Sequence, residues 1–352
     1  MAGKKSQREK EPPLERKDGH TPYMESQIPF EIGSLDLACK GGAHTGLMNL
    51  ITGPPRAGKT LAAYRLIRSF LRRDTRGVTY FAGENKVDTD FMEQLGIDLA
   101  RVQIEPPDYQ DVIYDLIMET AEQAGDVGLI LVDSVRSMVV RKRFKEDAFS
   151  QPFMQFSPEA TAHNQLIGML NIVQAKRARA DSPLTLIFIN HEGLAPPTFP
   201  GGPPQRIIPR GKNQLYLSSL RIRFSPPEYL KEHEHKGMKM ATQVRFRFQL
   251  DGNKAGATGI SSHFLMNQAV NTVAIDGQVV SMPVGSLDDM DFWYTWGKEI
   301  GYIGGGGKSW MVGERGPFPN QETIFLGWLH DRKQYEEDQD AIRPLAIAAY
   351  YA

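Results

Sequence analysis

Gly53-Pro-Pro-Arg-Ala-Gly-Lys-Thr60 matches the pattern G-x-x-x-x-G-K-[ST] at every fixed position, and no other feature restricts the fold as much. The pattern works as the turn between a buried strand and a helix. Both flanks comply. Leu47 to Thr52 is a short apolar run, and the following LAAYRLIRSFLRR puts Tyr64, Ile67 and Leu71 at helical spacing. In such a turn Gly53 and Gly58 let backbone N–H groups curl round phosphates. The helix N-terminus adds the positive end of its dipole. Lys59 reaches the terminal phosphates, and the Thr60 hydroxyl can ligate Mg2+. The candidate phosphate-binding residues are therefore Gly53, Pro54, Pro55, Arg56, Ala57, Gly58, Lys59 and Thr60, with Leu61 beside them.

Three more apolar runs, Val78 to Ala82, Gly128 to Asp133 and Leu184 to Asn190, read as strands buried on both faces. DVIYDLIMETAEQ, between the first two of them, reads as a helix. This alternation predicts an α/β fold with a mainly parallel central sheet. TQVRFRFQ alternates, with Val244, Phe246 and Phe248 one way and Arg245 and Arg247 the other, as in a half-exposed strand. Residues 1–26 are polar and charged and read as a flexible arm, 27–264 as the core, and 265–352 as a small C-terminal domain. The acidic stretch from Tyr335 to Asp340 reads as a solvated face.

The run LILVDS ends in Asp133, where ligands sit beyond the carboxyl ends of parallel strands. There a carboxylate can hold the magnesium shell, or cap a following helix. Glu84, just past VTYFA, can orient or deprotonate water, or be a surface-loop glutamate. Two segments at the same sheet edge are poor candidates for core. The first, about residues 135–160, carries Arg136, Arg141, Lys142 and Arg143 and then Phe149, Phe153 and Phe156. The second, about 192–212, is crowded with Gly and Pro and carries Arg206, Arg210 and Lys212. Cations there can neutralise nucleic-acid phosphates, and rings can stack on bases; a solvated surface of mixed charge is the other reading. The formal net charge is only −1, so any such attraction must be local.

No stretch is apolar enough to span a bilayer, the start of the chain has no secretory h-region, and Cys39 is the single cysteine. These features fit a cytoplasmic protein without a disulfide framework.

Several segments in the same order resemble the RecA family: GSLDLACKGGAHTGLMNLITGPPRAGKT, YFAGENKVDTDFMEQLGID, AGDVGLILVDSV, PLTLIFINH and EIGYIGGGGKSWMVG. Together they span roughly residues 30–315. The resemblance implies a RecA-like P-loop ATPase core with a small C-terminal α/β domain, using ATP and Mg2+. It implies Glu84 as the base for the attacking water, Asp88 against the adenine and Phe91 stacked on it. His191 would sense the γ-phosphate; histidine there looks more like the phage members of the UvsX type. Two departures stand out. The family's Lys-Asn-Lys triplet, whose lysines reach the neighbouring subunit's ATP, is Gly252-Asn253-Lys254 here, leaving Lys254 alone. Leu61 stands where a second hydroxyl is common.

The implied function is a DNA-dependent ATPase that forms helical filaments on single-stranded DNA and promotes homologous pairing and strand exchange with double-stranded DNA. A mediator and a single-strand-binding protein are implied partners. A helicase of the same fold and a weakly hydrolysing DNA-coating protein remain as alternatives.

Overall fold

The computed structural model describes residues 26–352 apart from 84–86, 124, 138–157, 196–198, 200–201, 203–204, 210–211, 236–237, 269–270, 276–277 and 283–284. The chain opens with a two-stranded pair, β1 (Gln27–Ile28) and β2 (Ala43–His44), flanking helix α1 (Gly33–Ala38). The central sheet is built from β3 (Met48–Gly53), β4 (Gly77–Ala82), β5 (Val102–Glu105), β6 (Val127–Asp133) and β7 (Thr185–His191). A short hairpin of β8 (Gly193–Ala195) and β9 (Gln205–Ile207) follows. The sheet then resumes with β10 (Leu220–Phe224), β11 (Glu228–His235), β12 (Met238–Asn253) and β13 (Ser261–Asn267).

From one edge the parallel part runs β5-β4-β6-β7-β3-β10, and β12 joins β10 antiparallel. Arg245 pairs with both Glu228 and Leu265, so β11 and β13 lie on opposite edges of β12. Each of the four strands expected from apolar runs is present with its ends within one residue of those expected. The strand expected over 242–249 is twice as long, and β5 was not expected at all. β5 is a short edge strand whose Gln103 and Glu105 carry no buried apolar signal.

Because strand side chains alternate, the central strands β3, β6 and β7 each feed two cores. Ile51, Leu129, Leu131, Ile187 and Ile189 pack with helix α2 (Lys59–Arg73). Leu50, Ile130, Val132, Leu186 and Phe188 face helices α4 (Gln110–Glu122) and α5 (Pro158–Arg179). Helix α3 (Thr89–Gln94) is started by Asp88, whose carboxylate accepts the Phe91 N–H at 2.9 Å. Helix α6 (Lys212–Leu217) leads into β10. No helix among the described residues is long and apolar enough to cross a membrane.

His44, on β2, is buried, and this has a pH consequence. Burial pushes its imidazole down to about 4; a hydrogen bond from the ring to Asn253 opposes the shift and the Lys254 cation adds to it. The folded state thus prefers the neutral ring. Its stabilisation is complete above the ordinary value of 6.5 and is lost as the pH falls towards 4. The loss is about 3 kcal/mol, from about 1.4 kcal/mol for each pH unit of separation. Urea unfolding of the parent chain and of His44→Asn between pH 7 and 4 should therefore show a stability difference that shrinks by about that amount. A difference that stays constant over this range would mean the ring is not held neutral.

The C-terminal domain has its own core of Met290, Trp293, Tyr294, Ile303, Val312, Ile324, Trp328 and Tyr335. It comprises a hairpin of β14 (Asn271–Ile275) and β15 (Gln278–Met282), helix α7 (Met290–Glu299), a three-stranded sheet of β16 (Ile303–Gly306), β17 (Ser309–Val312) and β18 (Arg315–Phe318), and helices α8 (Gln321–His330) and α9 (Arg332–Tyr351). β13 belongs to the central sheet and ends at Asn267.

The acidic stretch expected as a solvated face is instead the first half of α9, and it is paired. Asp338 is buried and accepts from Trp328, Tyr302 and Arg315. Glu336 and Asp340 meet Arg68, Arg72 and Arg73 of α2, whose guanidinium groups also hold the buried Glu31. Further along α9, Arg343 lies 3.1 Å from the fully buried Asp36.

Candidate nucleotide-binding site

The phosphate loop leaves β3 at the carboxyl edge of the sheet. Gly53 has φ 145°, and a Cβ there would lie 2.6 Å from the Phe224 carbonyl oxygen of β10. Gly58 caps α2 at φ 89°, and a Cβ there would lie 2.7 Å from the Phe246 ring. Both positions thus need glycine for conformation and for space. The first-turn N–H groups of α2 open onto the loop.

Three strands bring the other groups to this point. Gly53 of β3 is in register with His191 of β7, and Asp133 of β6 is in register with Ile189 of β7. The Thr60 hydroxyl donates to Asp133 Oδ2 at 2.7 Å. The Lys59 ammonium, on a residue only 4 % exposed, donates to the Pro54 carbonyl at 2.6 Å and lies 3.4 Å from His191 Nδ1. An ammonium only donates, so this contact requires a neutral imidazole with its proton on Nε2. A cavity of about 470 Å³ opens here, lined by Pro55 to Leu61, Phe91, Asp133, His191, Phe246 and Met266. That volume falls within the usual range for small-molecule sites. The hydroxyl of Thr60 and the carboxylate of Asp133 are hard oxygen donors side by side, a fit for Mg2+.

A larger cavity of about 760 Å³ lies by α9, with Arg73 and Arg343 in its wall. Both guanidinium groups are already held by carboxylates. The smaller cavity is therefore the site with the chemistry.

The structure thus brings Lys59, Thr60, Asp133, His191, Leu61 and Phe91 together. Asp88 caps α3 and is exposed, outside the cavity lining, while Phe91 stands 6.5 Å from the Tyr64 ring. Glu84 lies outside the described residues. Lys254 does not join the site. It is exposed at the end of β12, where Asn253 is in register with Leu220 and Leu220 with Asn49. Gly53 is four residues further along β3 than Asn49, about 13 Å away.

Arg141, Lys142 and Arg143 lie outside the described residues, as does Arg210. Arg136 is in a short turn, Val135–Ser137, that leaves β6, Arg206 is in β9, and Lys212 begins α6.

Phe246 and Met266 line the cavity and were not expected from the sequence, because an alternating strand shows which residues are buried but not against what. Glu192 was also missed. It accepts from the Thr52 hydroxyl at 3.3 Å, and its N–H reaches the Gly53 carbonyl at 3.4 Å. Its place beside His191 at a strand end was the available signal.

The model of the RecA N-terminal domain matches residues 25–246. Among relatives, the chain is 24% identical to Protein RecA of Mesoplasma florum over 280 residues, covering 77% of each chain. It is 28% identical to Protein RecA of Wolinella succinogenes over 215 residues, 60% of this chain and 57% of that one. For Protein RecA of Aquifex pyrophilus the identity is 29% over 220 residues, 62% of this chain and 60% of that one.

Proposed function

From a chain that belongs to the RecA family we propose an ATP-dependent recombinase, which hydrolyses ATP in the cavity at Gly53–Leu61 and coats single-stranded DNA as a helical filament. The observation that supports it best is the convergence of Lys59, Thr60, Asp133 and His191 on one cavity. Lys59 would exchange the Pro54 carbonyl and His191 for phosphate oxygens. Thr60 and Asp133 would hold Mg2+, which when bound neutralises charge on the phosphates. Glu84 would orient the attacking water, with Phe91 and Asp88 on the base side. Lys254 would serve the next subunit's nucleotide, a reading supported by its place at the opposite end of β3 from its own chain's phosphate loop.

Arg136, Arg141, Lys142, Arg143, Arg206, Arg210 and Lys212 would hold DNA phosphates, giving sequence-tolerant binding. The second segment also presents Phe199 at 62 % and Ile207 at 44 % exposure, apolar groups suited to standing between bases. Once Lys59 leaves it, His191 would read the γ-phosphate and bias that segment, since β8 begins two residues after His191.

ATP hydrolysis measured with and without single-stranded DNA tests this function. Strong stimulation is expected, and His191→Ala should keep ATP binding while losing the nucleotide dependence of DNA affinity. ATP binding without DNA-stimulated turnover would replace the proposal with a DNA-coating protein. Full nucleotide-dependent DNA affinity in His191→Ala would remove the coupling.

A further inference from the structure

Lys40 is the exposed residue of a tight turn after α1, and its backbone is left-handed, with φ 60°. That conformation favours glycine and is costly for a long side chain, so a lysine kept there marks a candidate for function. Its ammonium is held in place. It stands 5.5 Å from the centroid of the Tyr351 ring, and the Tyr351 hydroxyl donates to the Ala38 carbonyl at 2.7 Å, which ties the end of α9 to this turn.

The turn abuts the one that carries Lys254. Asn253 donates from Nδ2 to the Cys39 carbonyl at 3.4 Å, and its Oδ1 accepts the Ala255 N–H at 3.0 Å. A Cβ on Gly256 would be 3.6 Å from Cβ and Cδ of Lys40. Both turns lie at the start of β3, since Asn49 accepts the His44 N–H at 2.9 Å and donates to the His44 carbonyl at 3.1 Å. Two exposed ammonium groups thus stand on adjoining turns, at the end of the sheet opposite their own phosphate loop. Among the described residues no carboxylate pairs with either. Neighbouring like charges cost free energy until an anion comes between them.

We propose that Lys40 is the second of two cations, with Lys254 the first, that close on the polyphosphate of the nucleotide held by the next copy of this chain. This rests on the reading of Lys254 given above and adds a residue to it. Position 252 cannot supply the second cation. A Cβ on Gly252 would lie 2.5 Å from Arg221 Nε, and the two Nη groups of that arginine are themselves held by the Leu215 and Asp251 carbonyls, each at 2.9 Å. Lys40 reaches the same end of the sheet from the other turn.

Glycine suits φ 60°, so Lys40→Gly removes the ammonium without straining the turn. Its ATP affinity without DNA and its urea midpoint should match the parent's, because its own Gly53–Thr60 loop is at the far end of β3. Its DNA-stimulated kcat should fall by about tenfold or more, and Lys40→Arg should keep most of the parent's. The further arm mixes two impaired subunits. Lys40→Gly has an intact phosphate loop, and Lys59→Ala has an intact Lys40. In a head-to-tail assembly of an equal mixture, about a quarter of the contacts join a Lys40→Gly nucleotide to a neighbour's Lys40, so turnover should rise well above the average of the two variants alone. Lys254→Ala mixed with Lys59→Ala should recover likewise. Recovery with Lys254→Ala but not with Lys40→Gly would overturn the role of Lys40 and leave that of Lys254 standing. Recovery in neither mixture would overturn both. Parent-level turnover in Lys40→Gly would also overturn the role of Lys40, as would lost turnover accompanied by weaker ATP binding or a lowered urea midpoint, which marks a structural residue.

Discussion

Lys59→Ala will hydrolyse ATP about 100- to 1,000-fold more slowly than the parent chain, with or without DNA, the loss typical when a group poised on developing charge is removed. The side chain is almost fully buried at the head of the cavity, and its present partners, Pro54 and His191, are ones that phosphate oxygens can replace. Alanine is a good residue for the first turn of α2, so circular dichroism should be unchanged. The neighbouring Thr60–Asp133 contact does not pass through Lys59 and should survive. Turnover at the parent rate in this variant would place the chemistry elsewhere in the chain.

Arg343→Ala will destabilise the fold by about 3–5 kcal/mol, the usual cost of removing one partner from a buried ion pair. Arg343 is 7 % exposed at its side chain and joins three groups: Asp36 at 3.1 Å, Asp340 at 2.6 Å and the Trp293 ring at 5.4 Å. Asp36 is fully buried, and its Oδ1 accepts a hydrogen bond from the Phe30 N–H. Burial already raises its carboxyl to about 7, with Arg343 and the Phe30 N–H pulling the other way. Without the guanidinium the folded state will hold the proton more tightly. The penalty should therefore grow as the pH rises through 7 and ionisation is forced on an uncompensated site. Chemical unfolding at pH 6 and 8 measures both effects. Asp36→Asn combined with Arg343→Met should recover part of the loss, because no bare charge is then left buried. A loss under 1 kcal/mol at both pH values would mean that the pair is not holding the C-terminal helix to the core.

The nucleotide half of the site was legible in the sequence because its chemistry is local. Gly53 to Thr60 is contiguous, and Asp133 and His191 each end an apolar strand that parallel pairing must bring to the same edge. Contacts between distant residues were not legible. Nothing in LIRSFLRR or in YEEDQD shows that the two will meet, since a charged residue reads alike whether it is solvated or paired. The full length of β12 was hidden for a similar reason. Only its middle has one face in a core, so only 242–249 shows the alternation, while Met238 to Ala241 pairs with β11. The lone Lys254 illustrates the converse: its sequence match was visible, but only the register shows that it stands at the opposite end of the strands from its own phosphate loop.

The arginines of α2 also set a timetable for synthesis. Arg68 leaves the ribosome 268 residues before Glu336, its partner on α9. At ordinary elongation rates that is a wait of roughly ten seconds to a minute, during which Glu31 is the carboxylate that answers this cluster of guanidinium groups among the described residues. The growing chain thus carries a cationic cluster whose later carboxylate partners arrive with α9, and that helix neutralises it.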